Sequence, residues 1–201
     1  MIGKFLISID YSTTCTGYAI FNLDTGKLVR YGILKPKVIG VTKLKYPKLQ
    51  LEKIRSLAYQ LVDLINEVQP VAIIVEEINR HKSRLAGKTL DGGHYIFLDR
   101  LSDEYLAKLS FIDSDGKDGW RSAQGLNLYL SLQDKVLNKE RRSLNKKGKL
   151  AKKLPIITKK HLACRWVNEH YKLSLDCDKT SSDGDLADAI GIGADYIRRR
   201  C

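Results

Sequence analysis

The sequence lacks what would place it among secreted, membrane or metal-thiolate proteins. Its four cysteines, Cys15, Cys164, Cys177 and Cys201, form no C-x-x-C pair and have no Cys/His ligand spacing, which argues against a zinc site. Four scattered thiols do not make a disulfide framework, and 201 residues can build a core without one; a reducing cytoplasm is the expected setting. No apolar run could span a bilayer, so no membrane partner is expected, and the strand-length run after Lys4 is too short for a signal peptide. There is no internal repeat. Acidic residues are in deficit, 23 Asp and Glu against 35 Lys and Arg, for a formal charge of +12. That imbalance favours a polyanionic partner, most simply nucleic acid. The length fits one domain over residues 1–201.

What is present is a set of carboxylates in unusual places. Two apolar runs, Phe5-Leu6-Ile7-Ser8-Ile9-Asp10 and Val71-Ala72-Ile73-Ile74-Val75-Glu76, each end in an acid, and Asp185 and Asp188 stand one helical turn apart near the C-terminus. Charges at the ends of buried strands are costly unless something uses them. A divalent cation such as Mg²⁺ is the simplest user, because it takes a few hard oxygen ligands and leaves room for phosphates. Each acid alone has an ordinary reading: Asp10 as a cap for the Ser12-Thr13-Thr14 turn, Glu76 as a solvated strand end, Asp185 as a helix N-terminal charge. Jointly they point elsewhere. Ala187, Ala189, Gly191, Gly193 and Ala194 give that helix a small-residue surface on which it can approach a sheet, carrying both aspartates to the strand ends. Glu77 alternates to the opposite face from Glu76, and Asp183 suits the helix start, so both are set aside. Strand-end carboxylates on a chain this basic point to a nuclease.

Periodicity supplies the frame. Residues 5–10, about 17–22 and 27–34 read as three antiparallel strands, the last two joined by an Asp24-Thr25-Gly26 hairpin signal. Leu51, Ile54, Ala58, Leu61, Ile65 and Val68 recur at helical spacing, predicting a helix over about 48–68 that Pro70 stops. Val71–Val75 is continuously apolar, as for a strand buried on both faces. Residues 79–93 read as a mobile loop leading into a helix over 95–109, with a strand near 109–113. Residues 113–119 form a turn without the spacing or closing glutamate of an EF-hand, so a solvated hairpin tip is expected. Thr158 predicts the N-cap of a helix to about Tyr171, and a final helix spans about 183–199. The overall expectation is an α/β protein with a mixed sheet covered by helices.

Asp10-Tyr11-Ser12-Thr13-Thr14-Cys15-Thr16-Gly17-Tyr18-Ala19 resembles the first motif of RuvC-type Holliday junction resolvases, which begin with Asp, a short turn and Thr-Gly-Tyr. Pro70 with Glu76 in Ile-Val-Glu-Glu-Ile resembles the second motif. Asp185-Leu186-Ala187-Asp188-Ala189-Ile190 resembles the last. Trp120-Arg121-Ser122 is similar to an element of phage-type members, and Lys159-Lys160-His161-Leu162-Ala163 to the lysine that opens the penultimate helix. The resemblance covers nearly the whole chain in the right order. It implies a ribonuclease H-like fold with a mixed five-stranded sheet. It also implies two Mg²⁺ or Mn²⁺ ions held by Asp10, Glu76, Asp185 and Asp188, with Asp10 bridging and Lys160 (or Lys159) beside the phosphate. The implied activity is structure-selective cleavage of branched DNA, four-way junctions above all, by a homodimer. Such a protein would act in the cytoplasm, a host's if phage-encoded.

The sequence departs from that family in three places. Asn79 stands where an aromatic often follows the second-motif glutamate, leaving Tyr95 or Phe97 as candidates to stack on a base. Tyr11-Ser12 replaces a frequent Pro-Gly-Ser. Residues 135–160 hold eleven Lys and Arg and one acid, Glu140; the part over 139–153 has few apolar anchors and is expected to be flexible when free. Lys139, Arg141, Arg142, Lys146, Lys147, Lys149, Lys152, Lys153 and Lys159, with Arg121, are the candidate DNA-binding residues. Two rival readings remain within the superfamily, a nuclease for RNA or other branched DNA and a non-catalytic DNA-binding relative. Asp-x-Ser-Thr-Thr also resembles the first phosphate loop of actin-like ATPases and sugar kinases. The second phosphate loop and glycine-rich adenosine motif of those proteins are missing here.

Overall fold

The computed structural model describes residues 3–40, 44–77, 84–146 and 154–200. Its centre is a five-stranded sheet in the order β3-β2-β1-β4-β5, with β1 Phe5–Asp10, β2 Thr16–Asn22, β3 Leu28–Leu34, β4 Ala72–Glu76 and β5 Leu109–Ile112. The first three strands form the expected antiparallel meander, and β4 and β5 are parallel to β1 and to each other. The parallel step from β3 to β4 needs a crossover, supplied by α1 Lys48–Val68. Its bounds follow the apolar period, and Ile54, Ala58, Leu61 and Ile65 are buried as that period requires. Among the described residues no helix is long and apolar enough to cross a membrane.

Strand alternation divides the core into two layers. Phe5, Ile7, Ile9, Tyr11, Ile73 and Val75 pack with the buried face of α1 and with Phe97 of α2 Arg84–Asp99. Leu6, Ala72 and Ile74 face the other way, toward α6 Lys159–Tyr171 and α7 Ser181–Arg198, with Trp120 of the short α4 Trp120–Ala123 between them. Ser8 lies on this second face, and its Oγ donates 2.7 Å to the carbonyl of Ala189 in α7. Small residues permit that approach: a Cβ on Gly193 would stand 2.3 Å from Phe21 and 2.6 Å from Ser8 Oγ.

Several elements differ from the sequence reading. The second helix runs over 84–99 rather than 95–109; a one-turn helix, α3 Asp103–Leu106, then precedes β5. Gly92 and Gly93 suggested a loop, yet both lie within α2. A Cβ on Gly93 would stand 2.7 Å from the Tyr11 hydroxyl, so this glycine is a helix–sheet contact. Residues 113–119 connect β5 to α4 and are not a hairpin tip. Phe97 is 1% exposed and belongs to the core, which removes it as a stacking residue; Tyr95 on the same helix is exposed, and Asn79 lies outside the described residues.

The basic segment also differs. Residues 139–146 continue α5 Leu132–Lys146, while Lys147, Lys149, Lys152 and Lys153 lie outside the described residues. What holds α5 there is polar. Asn138 exchanges two hydrogen bonds with Ile157, at 3.0 and 2.8 Å, and Asn145 two with Leu154, at 3.0 and 2.7 Å. Arg141 donates to the carbonyl of Pro155 at 2.7 Å. This amide ladder recurs at helical spacing, and a search for apolar periodicity passes over it.

Replacing Gly193 by Ala should destabilise the fold by about 1–3 kcal/mol, since α7 would have to lift off β1. Chemical denaturation measures it, and an unchanged midpoint would contradict the close docking.

Candidate active site

The site forms where β1, β4 and α7 meet. The register that sets Ile9 opposite Val75 brings Asp10 and Glu76 side by side on the next rung. Alternation turns both toward α7, on the face of Leu6, Ser8, Ala72 and Ile74. Asp188 comes down from the helix to meet them, and carboxylate oxygens of Asp10, Glu76 and Asp188 all lie within 4.8 Å of one another. Asp185, one turn earlier, stands beside this trio. Its position depends on Gly17 at the start of β2, where a Cβ would lie 2.2 Å from the Asp185 carbonyl oxygen. Asp10 does not cap the following turn; Thr16 does, its Oγ1 donating 2.9 Å to Ser12 O and accepting 3.2 Å from Ser12 N.

Two cations stand against these acids. Lys160 opens α6, whose first turn is fixed when His161 Nδ1 accepts from Thr158 N at 3.1 Å. Its Nζ is hydrogen-bonded to Asp185 Oδ1 and lies 3.9 Å from Asp10. Arg121 reaches in from α4 and donates 2.7 Å to Asp188 Oδ2, with Glu76 at 3.4 Å and Asp115 at 3.5 Å. Arg121, a candidate DNA contact, has a side chain only 14% exposed, drawn in by three acids and stacked on buried Trp120. Lys159 points away and pairs with Asp115 at 2.6 Å. Lys139, Arg142 and Lys146 are exposed on α5. Asp183 stays out of the cluster, its Oδ2 accepting from Asp176 N at 2.8 Å, and Glu77 lines a separate groove with His94, Tyr95 and Phe111. The Cys15 thiol, pushed up to about 11 by burial and by its hydrogen bond to Asp185, completes the rim. Neither Asp115 nor Cys15 carried a motif signal of its own.

Burial sets the electrostatics. It pushes the Asp10 carboxyl well above the usual range, with Glu76 and Asp188 adding repulsion against a partial offset from Lys160. Asp188 is pushed up to about 6 by burial, with Arg121 pulling it down and Glu76 pushing it up. For Lys160 burial alone would lower the pKa, but Asp10, Asp188 and Asp185 outweigh it and hold the ammonium charged. Asp188 Oδ1 is buried without a hydrogen-bond partner. An all-oxygen donor set with an orphaned carboxylate oxygen fits a hard divalent cation, with Asp10, Glu76 and Asp188 as the holding residues.

Raised carboxyl pKa values carry a definite sign. The stability that protonated Asp10 and Asp188 contribute is complete below the unfolded carboxylate pKa, about 3.9. It is lost as pH rises through about 6 for Asp188. At pH 7.5 in EDTA, Asp10→Asn should therefore raise Tm by about 2–4 °C while abolishing any rise on adding Mn²⁺. Thermal melts in the two buffers check this; a lower Tm in EDTA would contradict the repulsive cluster.

No family model matches the sequence, and no curated protein sequence does. Solved structures do. The structure of Thermus thermophilus RuvC in complex with a Holliday junction substrate matches with a TM-score of 0.56 at 12% identity, over 98% of this chain and 95% of that one. A structure of T. thermophilus RuvC matches with a TM-score of 0.52 at 14% identity, over the same shares. The yeast mitochondrial Holliday junction resolvase Ydc2 matches with a TM-score of 0.52 at 13% identity, over 96% of this chain and 77% of that one. With the mixed five-stranded sheet flanked by helices, these likenesses give the chain an α/β, ribonuclease H-like fold.

Proposed function

We propose that this chain is a metal-dependent, structure-selective endonuclease that resolves four-way DNA junctions by paired phosphodiester cleavage. The observation that carries the reading is the trio of Asp10 and Glu76 at the strand ends with buried Asp188 of α7, their carboxylate oxygens within 4.8 Å of one another. It is supported by a fold like that of T. thermophilus RuvC, a protein whose structure holds a Holliday junction substrate. Two Mg²⁺ or Mn²⁺ ions, with Asp185 as a fourth ligand, are part of the proposal. Held there, such ions would supply an activated water and charge stabilisation for the leaving 3′ oxygen of an in-line displacement.

The chain's own residues do the positioning. Lys160, 44% exposed at its side chain, offers its remaining protons to a phosphate oxygen above Asp10 and Asp185. Arg121 offsets the charge of Asp188 and Glu76 from below. Trp120-Arg121 is the element on which a phage-type assignment rests. A junction has near two-fold symmetry and needs two matched nicks, so a C₂ homodimer is the proposed working unit.

Asp188→Asn should bind four-way junctions as the parent does but lose Mg²⁺-dependent nicking by at least about a hundredfold. Parallel assays on four-way, three-way, flap and linear DNA read this out. Symmetric paired nicks confined to the four-way junction are expected; equal cutting of linear DNA, or retained cleavage by the variant, would overturn the assignment. The exposed cations of α5 are proposed backbone contacts. Changing Lys139, Arg142 and Lys146 to Gln together should flatten the slope of log K against log salt by roughly 2–3; an unchanged slope would return them to an ordinary solvated face.

A further inference from the structure

Two cysteines that the candidate active site does not use lie against each other one layer beneath it. Cys164 sits on α6, one turn after Lys160, and Cys177 lies in the connection leading into α7. Their Sγ atoms are 2.9 Å apart across a separation of 13 residues, and Cys164 Sγ is 3.6 Å from the Asp183 carbonyl oxygen. Cys164 is 4% exposed, whereas Cys177 is half-buried. Both segments are anchored independently of the thiols. Asn168 brackets Leu175 with hydrogen bonds of 2.9 and 2.8 Å, and Asp183 accepts from Asp176 N. The two sulfurs are thus held together by the backbone around them.

We propose that Cys164 and Cys177 form an oxidative modification site, a dithiol that closes to a disulfide when a hydroperoxide reaches Cys177. Hydrogen peroxide transfers one oxygen to Cys177 Sγ, giving a sulfenic acid and one water. Cys164 Sγ then attacks that sulfur; the S–S bond forms, the S–O bond breaks, and the hydroxyl leaves with the Cys164 proton as a second water. Two thiols lose two electrons and two protons, and one peroxide becomes two waters. A thiol reductant reverses the bond by exchange.

The bond would fasten the α6–α7 connection under Lys160 and Asp185. A Cβ on Gly184 would lie 2.7 Å from Lys160 Cδ and 3.2 Å from Cys177 Sγ, so the sulfur, the lysine stem and the first turn of α7 share one packed layer. None of this depends on what the carboxylate site cuts.

The test is to treat the native 201-residue chain with hydrogen peroxide, alkylate the remaining thiols and map the peptides by mass spectrometry. A peptide pair linked through Cys164 and Cys177 is expected, with loss of two of the four thiols and a Tm rise of about 5–10 °C that dithiothreitol reverses. Cys177→Ser should yield no linked pair and no rise. Recovery of both wild-type cysteines alkylated or singly oxidised, or a link from either to Cys15 or Cys201, would overturn the proposal.

Discussion

The docking of α7 on the second face of β1 and β2 determines where every charge in the site can go. Ser8 meets the Ala189 carbonyl, and glycines at 17 and 193 leave no gap for solvent between helix and sheet. With the helix that close, Asp188 is 1% exposed and must meet Asp10 and Glu76. Three carboxylates so close together repel one another, and burial raises Asp10 and Asp188 before repulsion adds to it. Below the raised pKa values protonation relieves that repulsion; above them cations must offset it.

The protein supplies two of its own, from opposite sides. Lys160 holds Asp185 at the open edge, and Arg121 holds Asp188 and Glu76 at the buried edge. Asp115 ties Arg121 to Lys159, so the β5–α4 connection and the start of α6 are electrostatically joined. Asp188 Oδ1 is left without a hydrogen-bond partner among the described residues, free to take a further cation. The site thus separates a rim that can hold phosphate from a floor that can hold metal. That division underlies the proposed phosphodiester chemistry.

Much of this was legible from residue order. The alternation Leu6-Ser8-Asp10 and Ala72-Ile74-Glu76 names the face on which the acids emerge, and the small residues of α7 announce its close approach. The contribution of Arg121 was not legible, because its direction depends on Trp120 seating in the core beneath α7. Nor was the helical part of the basic segment, since Asn138, Arg141 and Asn145 anchor it through amide hydrogen bonds rather than apolar burial. The glycines at 92 and 93 misled for the same reason: their meaning lies in a partner, Tyr11, distant in sequence. Local propensity describes elements well; contacts between elements decide what a polar residue does.

The central claim is that the trio at the strand ends is a divalent metal centre. Diffraction from crystals soaked in Mn²⁺, recorded at a wavelength that gives anomalous signal, tests it most directly. The account predicts an anomalous peak within coordination distance of Asp10, Glu76 and Asp188. Manganese bound only elsewhere, with Arg121 still hydrogen-bonded to Asp188, would contradict it.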